Sequence, residues 1–405
     1  MYSSISCPQQ RKLTVGGAHC EKRDKNTHAL TAINQLKTIR STRPKMVKQT
    51  TSKHRQPRTK PNLATSRLLV HFHPQEAKPS PRKPHAKRGR TAFRKNVASG
   101  QATVVQTDLD LDLYRNANYQ LPKVQAPSND ASVLKRIKPN TRWTHFIDRH
   151  GVHFASVVLP PEAQEFHASL NHVRAMMKQL PREAGAPTET IRGGHFHTWH
   201  LMLNGQDQAH FPGPYWNAAF MQNPKMQEFL DTKALKNVQA YCNRQFFECF
   251  PHHASFYQYI GEALDYKPYG AFKFGPCFPS LALNEEKNAI SAPHRDRRDY
   301  LQGLAGVMSI GDYTHTTLNM QEANISIEFP AGALAFFPSH VVHHYNTDVA
   351  EGESRGSMTM FMSSDVVRWA GLGGRVKDKT EQERQAYRQA CLQNWNLFKH
   401  INSKM

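Results

Sequence analysis

The sequence predicts an α+β protein with a C-terminal half of short strands, flanking helices and a long basic N-terminal tail. Short runs rich in β-forming residues follow one another between positions 278 and 363, separated by turn signals. Apolar residues at helical spacing occur before and after these runs. The excess positive charge is concentrated at the start of the chain, where no core is encoded. These three observations define the expected architecture.

The N-terminal tail carries nearly all of the excess positive charge. Residues 1–100 contain 23 lysines and arginines and 3 acidic residues, a net charge of +20, and the rest of the chain contributes +1 to the total of +21. The tail is poor in periodic apolar residues, so it cannot bury enough surface to offset the entropy of ordering. We therefore predict a disordered basic region over residues 1–125.

A basic run at positions 81–90 suggests a location and a partner. Five of its ten residues are Lys or Arg, which suits a nuclear-import signal or a loose nucleic-acid contact; a solvated tail without a partner is the alternative. We expect a nuclear protein, with cytoplasmic and mitochondrial locations as alternatives. No run of about 18 apolar residues occurs, so we expect no membrane span. We also expect a monomer.

Residues 126–270 are predicted to form a helical part. An apolar stripe after Pro161 recurs at spacings of four and three. Its members are Phe166, Leu170, Val173, Met177 and Leu180. A second helix is expected to start near Pro224, a favourable first-turn residue, and to run toward Phe250. Both stripes are expected to pack on the sheet.

The last segment, residues 376–405, is predicted to be a single helix. Thr380 and Glu383 have the spacing of a capping box, in which each side chain satisfies a backbone N–H of the first turn. One face of this helix carries four large side chains, Tyr387, Cys391, Trp395 and Phe398. We expect that face to lie against the outside of the strand domain.

Residues 271–375 are predicted to form the strand domain. The expected strands lie at 278–284, 303–311, 325–329, 333–337, 341–346 and 357–363. Their regular spacing is typical of an all-β sandwich or open barrel.

The strand domain contains a metal-binding pattern. His294 and Asp296 form a His-x-Asp triplet, and His344 follows 48 positions after Asp296. Two imidazoles and one carboxylate on one face of an iron ion leave three positions open, as in non-haem Fe(II) oxygenases. A lone His-x-acid triplet is weak evidence, but these residues fall at strand ends. Arg355, 11 positions after His344, can grip a dicarboxylate in a bidentate way.

Four segments, 293–299, 327–332, 336–347 and 352–361, resemble the 2-oxoglutarate- and Fe(II)-dependent oxygenases. The closer match is the Tet-like branch, which is related to the Tet and J-binding-protein DNA-base oxygenases. The resemblance covers about residues 190–375. The family pattern is His-x-Asp, a distal His, ten residues, and Arg-x-Ser.

The resemblance implies a double-stranded β-helix, or jelly roll, as the oxygenase core. It implies that His294, Asp296 and His344 hold Fe(II), and that Arg355, helped by Ser357, binds the far carboxylate of 2-oxoglutarate. Molecular oxygen would be the second co-substrate. The sequence therefore predicts a dioxygenase that hydroxylates a C–H bond, and the Tet-like likeness makes a methylated base in nucleic acid the first candidate substrate.

Two residues near the motif leave alternatives open. His343 competes with His344 as the distal ligand, because neighbouring side chains on a strand face opposite ways; the Arg-x-Ser spacing favours His344. Asp299 stands where Tet-like proteins often have an asparagine linked to base reading, and an ionised carboxylate cannot donate a hydrogen bond. The neighbouring Arg295, Arg297 and Arg298 could meet a phosphate or form a solvated basic loop.

Two further segments have alternative interpretations. The stretch 193–203 carries His195, His197 and His200, which could form a second metal site or, by the Tet-like likeness, shape the rim of the active site. The aromatic turn at 211–216 could stack on a base or simply pack.

Other function classes are also considered. The same chemistry could act on a protein side chain or a small metabolite, and the chain could instead be an inactive, mobile-element-derived barrel that binds nucleic acid. The six cysteines contain no Cys-x-x-Cys pair, so neither a zinc module nor a secreted disulfide framework is expected.

Overall fold

The computed structural model describes residues 93–114, 131–181, 186–187, 196–204, 213–214, 223–263, 274–287, 289–372 and 374–403. The strands are β1 (Ala102–Gln106), β2 (Lys135–Ile137), β3 (Trp143–Ile147), β4 (His153–Val158), β5 (Ala186–Pro187), β6 (His197–Leu201), β7 (Leu203–Asn204), β8 (Gly213–Pro214), β9 (Ser280–Asn284), β10 (Ala305–Asp312), β11 (Thr317–Met320), β12 (Ile325–Glu328), β13 (Leu334–Phe337), β14 (His344–Asn346) and β15 (Ser354–Phe361). The helices are α1 (Gln164–Met177), α2 (Pro224–Asp231), α3 (Lys233–Cys249), α4 (Pro251–Ala263), α5 (Ser364–Leu372) and α6 (Glu381–Asn402).

The strands after residue 279 are divided between two sheets. Four of them are neighbours in the larger sheet, in the order β13-β10-β15-β9, and three are neighbours in the smaller sheet, in the order β14-β11-β12. His294 adds a short antiparallel bridge to His344 at the edge of the smaller sheet. Along the chain the path switches sheets in the manner of a jelly roll. The predicted α+β class with a double-stranded β-helix core is confirmed.

The larger sheet extends beyond the jelly roll on both edges. β4, β3 and β1 continue it on the β13 side, and β6 and β5 continue it on the β9 side, which makes nine strands. β1 pairs in parallel with β3, and Phe93 and Leu109 nearby are buried. The predicted disordered region 1–125 is therefore wrong for residues 93–114. Strand pairing with residues about 40 positions away supplies the burial that local composition does not reveal.

The part predicted as helical, residues 126–270, also needs correction. β3 and β4 lie within it, with every residue of β4 buried. The single helix expected from Pro224 is two helices, because Thr232 is extended (φ −60°, ψ 140°) and its side chain accepts a hydrogen bond from the Leu235 N–H. α4 and α5 were not predicted.

The first and last helices agree with the sequence. α1 buries Phe166, Leu170, Val173 and Met177 on one side. The Thr380 hydroxyl accepts from the Glu383 N–H at 3.2 Å, and the Glu383 carboxylate accepts from the Thr380 N–H at 2.8 Å. The predicted capping box before α6 is confirmed.

Two apolar cores result from the alternation of side chains on the larger sheet. One face carries Leu283, Met308 and Met358 into a core shared with the helices. The opposite face carries residues such as Phe337 into the interior of the jelly roll, where they meet Leu318 and other side chains of the smaller sheet. No helix in the described ranges has the length and apolar character of a bilayer span.

Candidate metal and co-substrate site

The three predicted metal ligands lie together at the β14 edge of the smaller sheet. His294 and His344 exchange backbone hydrogen bonds, 3.2 Å from His294 N to His344 O and 2.9 Å in the reverse direction. Residues paired in this antiparallel way project to the same face of a sheet. The Asp296 N–H donates to the Ser339 carbonyl at 3.0 Å, which holds the third ligand against the turn before β14. Three distant sequence positions are thereby brought to one place.

Backbone carbonyls set the tautomer of both histidines. Nδ1 of His294 lies 2.8 Å from the Ala292 oxygen, and Nδ1 of His344 lies 3.1 Å from the Val342 oxygen. A carbonyl only accepts, so each Nδ1 must carry the proton and each Nε2 keeps its lone pair. The Nε2 atoms of His294 and His344 lie 3.8 Å and 3.5 Å from the two carboxylate oxygens of Asp296. This is the arrangement that metal-ligating histidines use.

The donor set fits a divalent iron. One ligand atom from each of the three residues can be chosen so that all lie within 4.8 Å of one another. An ion about 2.1 Å from each donor draws ligand atoms to within about 4 Å of one another, and both histidine–aspartate separations satisfy this. The side chains of His294 and Asp296 are 19% and 17% exposed, so one side of the site faces solvent. Two imidazoles and one carboxylate suit a non-haem Fe(II) centre with open positions.

One other acidic cluster occurs among the residues that the structure describes. It contains Asp110, Asp112 and His150. Asp110 pairs with Arg149, and Asp112 pairs with Lys399. These cations already balance the carboxylates, so this cluster is not a comparable metal site.

Arg355 is a buried cation on β15. It is 4% exposed, and its Nη1 donates to the Ala289 carbonyl at 2.7 Å. Its buried Nε has no hydrogen-bond acceptor, and Arg355 forms no ion pair with a carboxylate of the described residues. Burial lowers the pKa of Arg355, while the nearby Tyr313 hydroxyl acts in the opposite direction. An uncompensated buried guanidinium is costly, so this pocket favours an anionic ligand.

Ser357 lies two residues beyond Arg355 on the same face of β15. It is 4% exposed, and its hydroxyl accepts from Asn284 Nδ2 at 2.7 Å. Asn284 in turn accepts from the Thr198 hydroxyl at 3.0 Å. These hydrogen bonds hold the Ser357 side chain in place near Arg355 on β15.

The two histidine alternatives differ clearly in their contacts. β14 begins at His344, so His343 precedes the strand. Nδ1 of His343 lies 2.5 Å from a Glu322 oxygen, and its backbone N–H donates to the other oxygen at 2.6 Å. His343 is therefore engaged with Glu322, whereas His344 faces Asp296.

Asp299 is part of the turn that follows the motif. It is 8% exposed, and its carboxylate accepts a hydrogen bond from the Ser339 hydroxyl at 2.5 Å. Its carbonyl accepts from Nδ1 of His340 at 2.8 Å. Of the neighbouring arginines, Arg297 and Arg298 are exposed. The Asp299 side chain thus has a structural contact with the turn before β14.

The other histidine-rich segment is only partly described. His195 lies outside the described residues, as does most of the aromatic turn at 211–216. His197 is on β6, with Nδ1 3.3 Å from a Glu285 oxygen, and the partly buried His200 lies on the same strand. In the described part of the chain, neither residue joins a cluster of three metal ligands.

Sequence reasoning missed three groups around the site: the Ala289 carbonyl, Tyr313 and Asn346. Asn346 left a usable signal, because it follows His344 by two positions in a predicted strand and so shares its face. The role of the Ala289 carbonyl could not be predicted, because every residue has a backbone carbonyl and the residue type does not reveal what that carbonyl binds.

No family model matches the sequence, and no curated protein matches it in a sequence search. Similar solved structures include NgTET1 in complex with 5mC DNA, with 13% identity over 70% of this chain and 89% of that chain and a TM-score of 0.44. A Pseudomonas putida prolyl-4-hydroxylase has 14% identity over 52% and 93%, with a TM-score of 0.31. A Burkholderia pseudomallei oxidoreductase of the 2OG-Fe(II) oxygenase family has 14% identity over 51% and 88%, with a TM-score of 0.29.

The strand order described above establishes the architecture by itself. The chain has a jelly-roll fold.

Proposed function

We propose that this protein is an Fe(II)- and 2-oxoglutarate-dependent dioxygenase that hydroxylates a C–H bond. One observation carries the proposal: a buried guanidinium without an anionic partner among the described residues lies in the same jelly roll as a two-histidine, one-carboxylate cluster. The cluster supplies the ligands that iron prefers, and Arg355 supplies the charge that a dicarboxylate needs.

Each group has a defined part in this reaction. Bound iron and 2-oxoglutarate supply the oxidation, in which O2 is consumed, the C–H bond becomes C–OH, and succinate and carbon dioxide are released. His294, Asp296 and His344 hold the metal through two Nε2 atoms and one carboxylate. Arg355 binds the far carboxylate of the co-substrate, with Ser357 beside it. Apolar side chains of the jelly-roll interior exclude water from the pocket.

The first candidate substrate is a methylated base in nucleic acid. The Tet-like resemblance supports it, and a solved neighbour, NgTET1, is described as bound to 5mC DNA. Arg297 and Arg298 are exposed directly after Asp296, where a phosphate could be met. The basic tail adds a long-range attraction for nucleic acid and supports a nuclear location as part of this proposal.

A protein side chain or small metabolite is the second candidate. Its support is Asp299, whose carboxylate accepts from Ser339 where Tet-like proteins often have an asparagine. The chain after residue 100 has a net charge of only +1, which offers no excess charge for gripping a duplex.

Anaerobic titration tests the cofactor assignment. Adding Fe(II) and 2-oxoglutarate to the full-length protein should produce the weak metal-to-ligand charge-transfer band. His294→Ala should abolish the band, whereas His197→Ala, which changes a histidine outside the cluster, should retain it. A wild-type protein that shows no band would overturn the assignment and favour the inactive nucleic-acid-binding alternative.

Product analysis tests the substrate. Oligonucleotides containing 5-methylcytosine, as single-stranded DNA, duplex DNA and RNA, are incubated with the loaded enzyme and examined by mass spectrometry. We expect an added oxygen atom on the base together with succinate. Succinate release with unchanged methylcytosine in all three substrates would reject the methylcytosine candidate and favour the second class.

A further inference from the structure

We propose that Asn346 is a positioning residue that couples the arginine of the co-substrate pocket to the metal ligands. The inference rests on the proposed function, and it concerns a side chain that would touch neither the metal nor the co-substrate. Asn346 would act through one carbonyl, that of Ala289, and through the segment that connects this carbonyl to His294.

Asn346 lies at the last position of β14, two residues after His344. It is 8% exposed, and its Cα partner across the sheet is Leu318 of the jelly-roll interior. Because side chains alternate along a strand, Asn346 and His344 project to the same face. A buried amide here needs hydrogen-bond partners, because leaving its polar atoms unpaired away from water is destabilising.

The amide of Asn346 satisfies both of its ends. Oδ1 accepts from the Ser291 N–H at 3.2 Å, and Nδ2 donates to the Ala289 carbonyl at 3.1 Å and to the Thr347 carbonyl at 3.3 Å. The partners define the orientation of the amide, because a carbonyl only accepts and a backbone N–H only donates. The side chain therefore bridges two positions of the segment 289–291.

The Ala289 carbonyl is shared with the arginine. Arg355 Nη1 donates to the same oxygen at 2.7 Å, and the Ala289 N–H donates back to the Arg355 carbonyl at 2.8 Å. The Ala289 carbonyl thus accepts hydrogen bonds from two side chains, Arg355 of the co-substrate pocket and Asn346 of β14, the strand that carries His344. Its location decides where Nη1 is held and therefore how the rest of the guanidinium is oriented.

The same segment leads directly to the metal. Ser291 is followed by Ala292, whose carbonyl accepts from Nδ1 of His294 at 2.8 Å and so sets the tautomer of that ligand. Asn346 consequently holds a short stretch of chain that contacts Arg355 at one end and His294 at the other. Both halves of the proposed active site depend on this stretch.

Two substitutions separate the functions of the amide. Asn346→Asp keeps the acceptor for Ser291 but loses the donor to Ala289, and its carboxylate would attract the Arg355 guanidinium away from a ligand. Asn346→Ala loses both bonds. The matched control is Asn319→Ala, which removes another fully buried asparagine from the same sheet; its neighbour across the sheet is Tyr345, and its Oδ1 accepts from Thr317.

The first measurement needs neither metal nor co-substrate. Amide hydrogen exchange on the metal-free protein should be at least about tenfold faster at Ser291 in Asn346→Ala than in the wild type, because its acceptor is lost. Asn346→Asp and Asn319→Ala should leave this amide protected. An unchanged rate in Asn346→Ala would overturn the inference whatever the enzyme does.

The second measurement is calorimetric titration of 2-oxoglutarate into the protein loaded with Mn(II). We expect its Kd to rise about tenfold in Asn346→Ala and more in Asn346→Asp, while the Kd for Mn(II) changes less than threefold in Asn346→Asp. Asn319→Ala should bind 2-oxoglutarate like the wild type even if its melting temperature falls.

The outcomes distinguish the two proposals. A wild type that takes Mn(II) but not 2-oxoglutarate rejects the proposed function and the inference with it. A wild type that binds both, with Asn346→Asp binding 2-oxoglutarate equally well, rejects the inference alone. Equal weakening in Asn346→Asp and Asn319→Ala would show a general loss of stability, which also rejects it. If Asn346→Ala does not fold, the near-isosteric Asn346→Asp still decides.

Discussion

Two sets of histidines in this protein lie in opposite surroundings. At the start of the smaller sheet, His294 and His344 turn Nε2 toward a partly exposed carboxylate. Three other histidines, in β3, β4 and the start of α4, are buried: His145, His153 and His253, which are 2%, 1% and 4% exposed. Neither their hydrogen bonds nor their ring contacts involve a carboxylate.

The buried set is held by a hydroxyl and by aromatic rings. Nδ1 of His145 and Nε2 of His153 both lie 2.8 Å from the Ser156 hydroxyl oxygen. His153 stacks on Phe250 with ring centroids 4.3 Å apart, and His253 stacks on Phe398 at 4.2 Å. Burial lowers the pKa of His145 and of His253 to about 3. These imidazoles therefore stay neutral and act as core side chains.

The comparison teaches that neighbours, rather than residue type, decide what a histidine does. A carboxylate beside an Nε2 lone pair, near an opening to solvent, makes a site for a cation. A hydroxyl and aromatic faces in a closed core make a site where a cation is excluded. The predictions below test each side of this difference.

Acid should destabilise the fold through the buried set. The pKa values of His145 and His253 are about 3 in the folded protein and 6.5 in the unfolded chain, so the unfolded chain binds more protons below pH 6.5. Their stabilising contribution is complete above pH 6.5 and is lost as the pH falls toward 3. At about 1.4 kcal/mol per pH unit, these two groups together should lower the free energy of unfolding by roughly 4 kcal/mol between pH 7 and pH 5. Burial also lowers the pKa of His153, which adds to the drop.

Denaturant unfolding at the two pH values measures this drop. His253→Gln can still donate to the Gln302 carbonyl that His253 contacts at 3.2 Å, and it should remove the contribution of one histidine, about 2 kcal/mol of the drop between pH 7 and pH 5. A pH dependence of unchanged size in this variant would mean that other groups dominate.

Loss of a ligand should act on metal binding and leave the core intact. His344→Ala removes one of three donors, and we expect Mn(II) or Fe(II) affinity to fall at least about 100-fold. The free energy of unfolding of the metal-free protein should fall by only about 1 kcal/mol, the cost of losing one buried ring that contacts Phe337. Metal titration by calorimetry measures the first quantity. Retained affinity in His344→Ala alongside lost affinity in His343→Ala would reverse the choice of ligand.

Removing the shared hydroxyl should do the opposite. Ser156→Ala leaves the buried Nδ1 of His145 without its hydrogen-bond partner, whereas Nε2 of His153 keeps the Ala155 carbonyl at 3.0 Å; the free energy of unfolding should fall by about 2 kcal/mol. Metal affinity of the folded protein should be the same as in the wild type. Chemical denaturation and metal titration of the same preparation test both statements, and a weakened metal site would argue that the two histidine sets are coupled.

The smallest effect is expected at the helix that covers the buried set. Thr380→Ala removes the N-cap of α6, which carries Phe398 onto His253, and should cost about 1 kcal/mol. Thr380→Ser, which preserves the hydroxyl, is the matched control. A thermal melt in which both variants match the wild type would show that α6 depends on its packing alone.

Local patterns predicted much of the fold and of the candidate site. The apolar stripe of α1, the capping box of α6 and the runs behind β9, β10 and β13 were readable because each depends on residues close in sequence. Long-range pairing escaped prediction. β1 pairs with β3 some 40 residues later, and the Trp143 indole donates to Gln245 at 3.0 Å across about 100 residues. Nothing within one window of sequence encodes such partners.

By itself, the sequence determined the strand-rich C-terminal half and the spacing of His294, Asp296, His344 and Arg355, because residue chemistry and short-range periodicity are written directly in the chain. Only the tertiary structure decided that His343 turns to Glu322, and that one carbonyl joins Arg355 to the ligand strand. It also decided which histidines are buried in the core, where no cation can reach them. These outcomes depend on which groups meet across the sheets, and distance in space, unlike distance along the chain, is set by the packing of the whole fold.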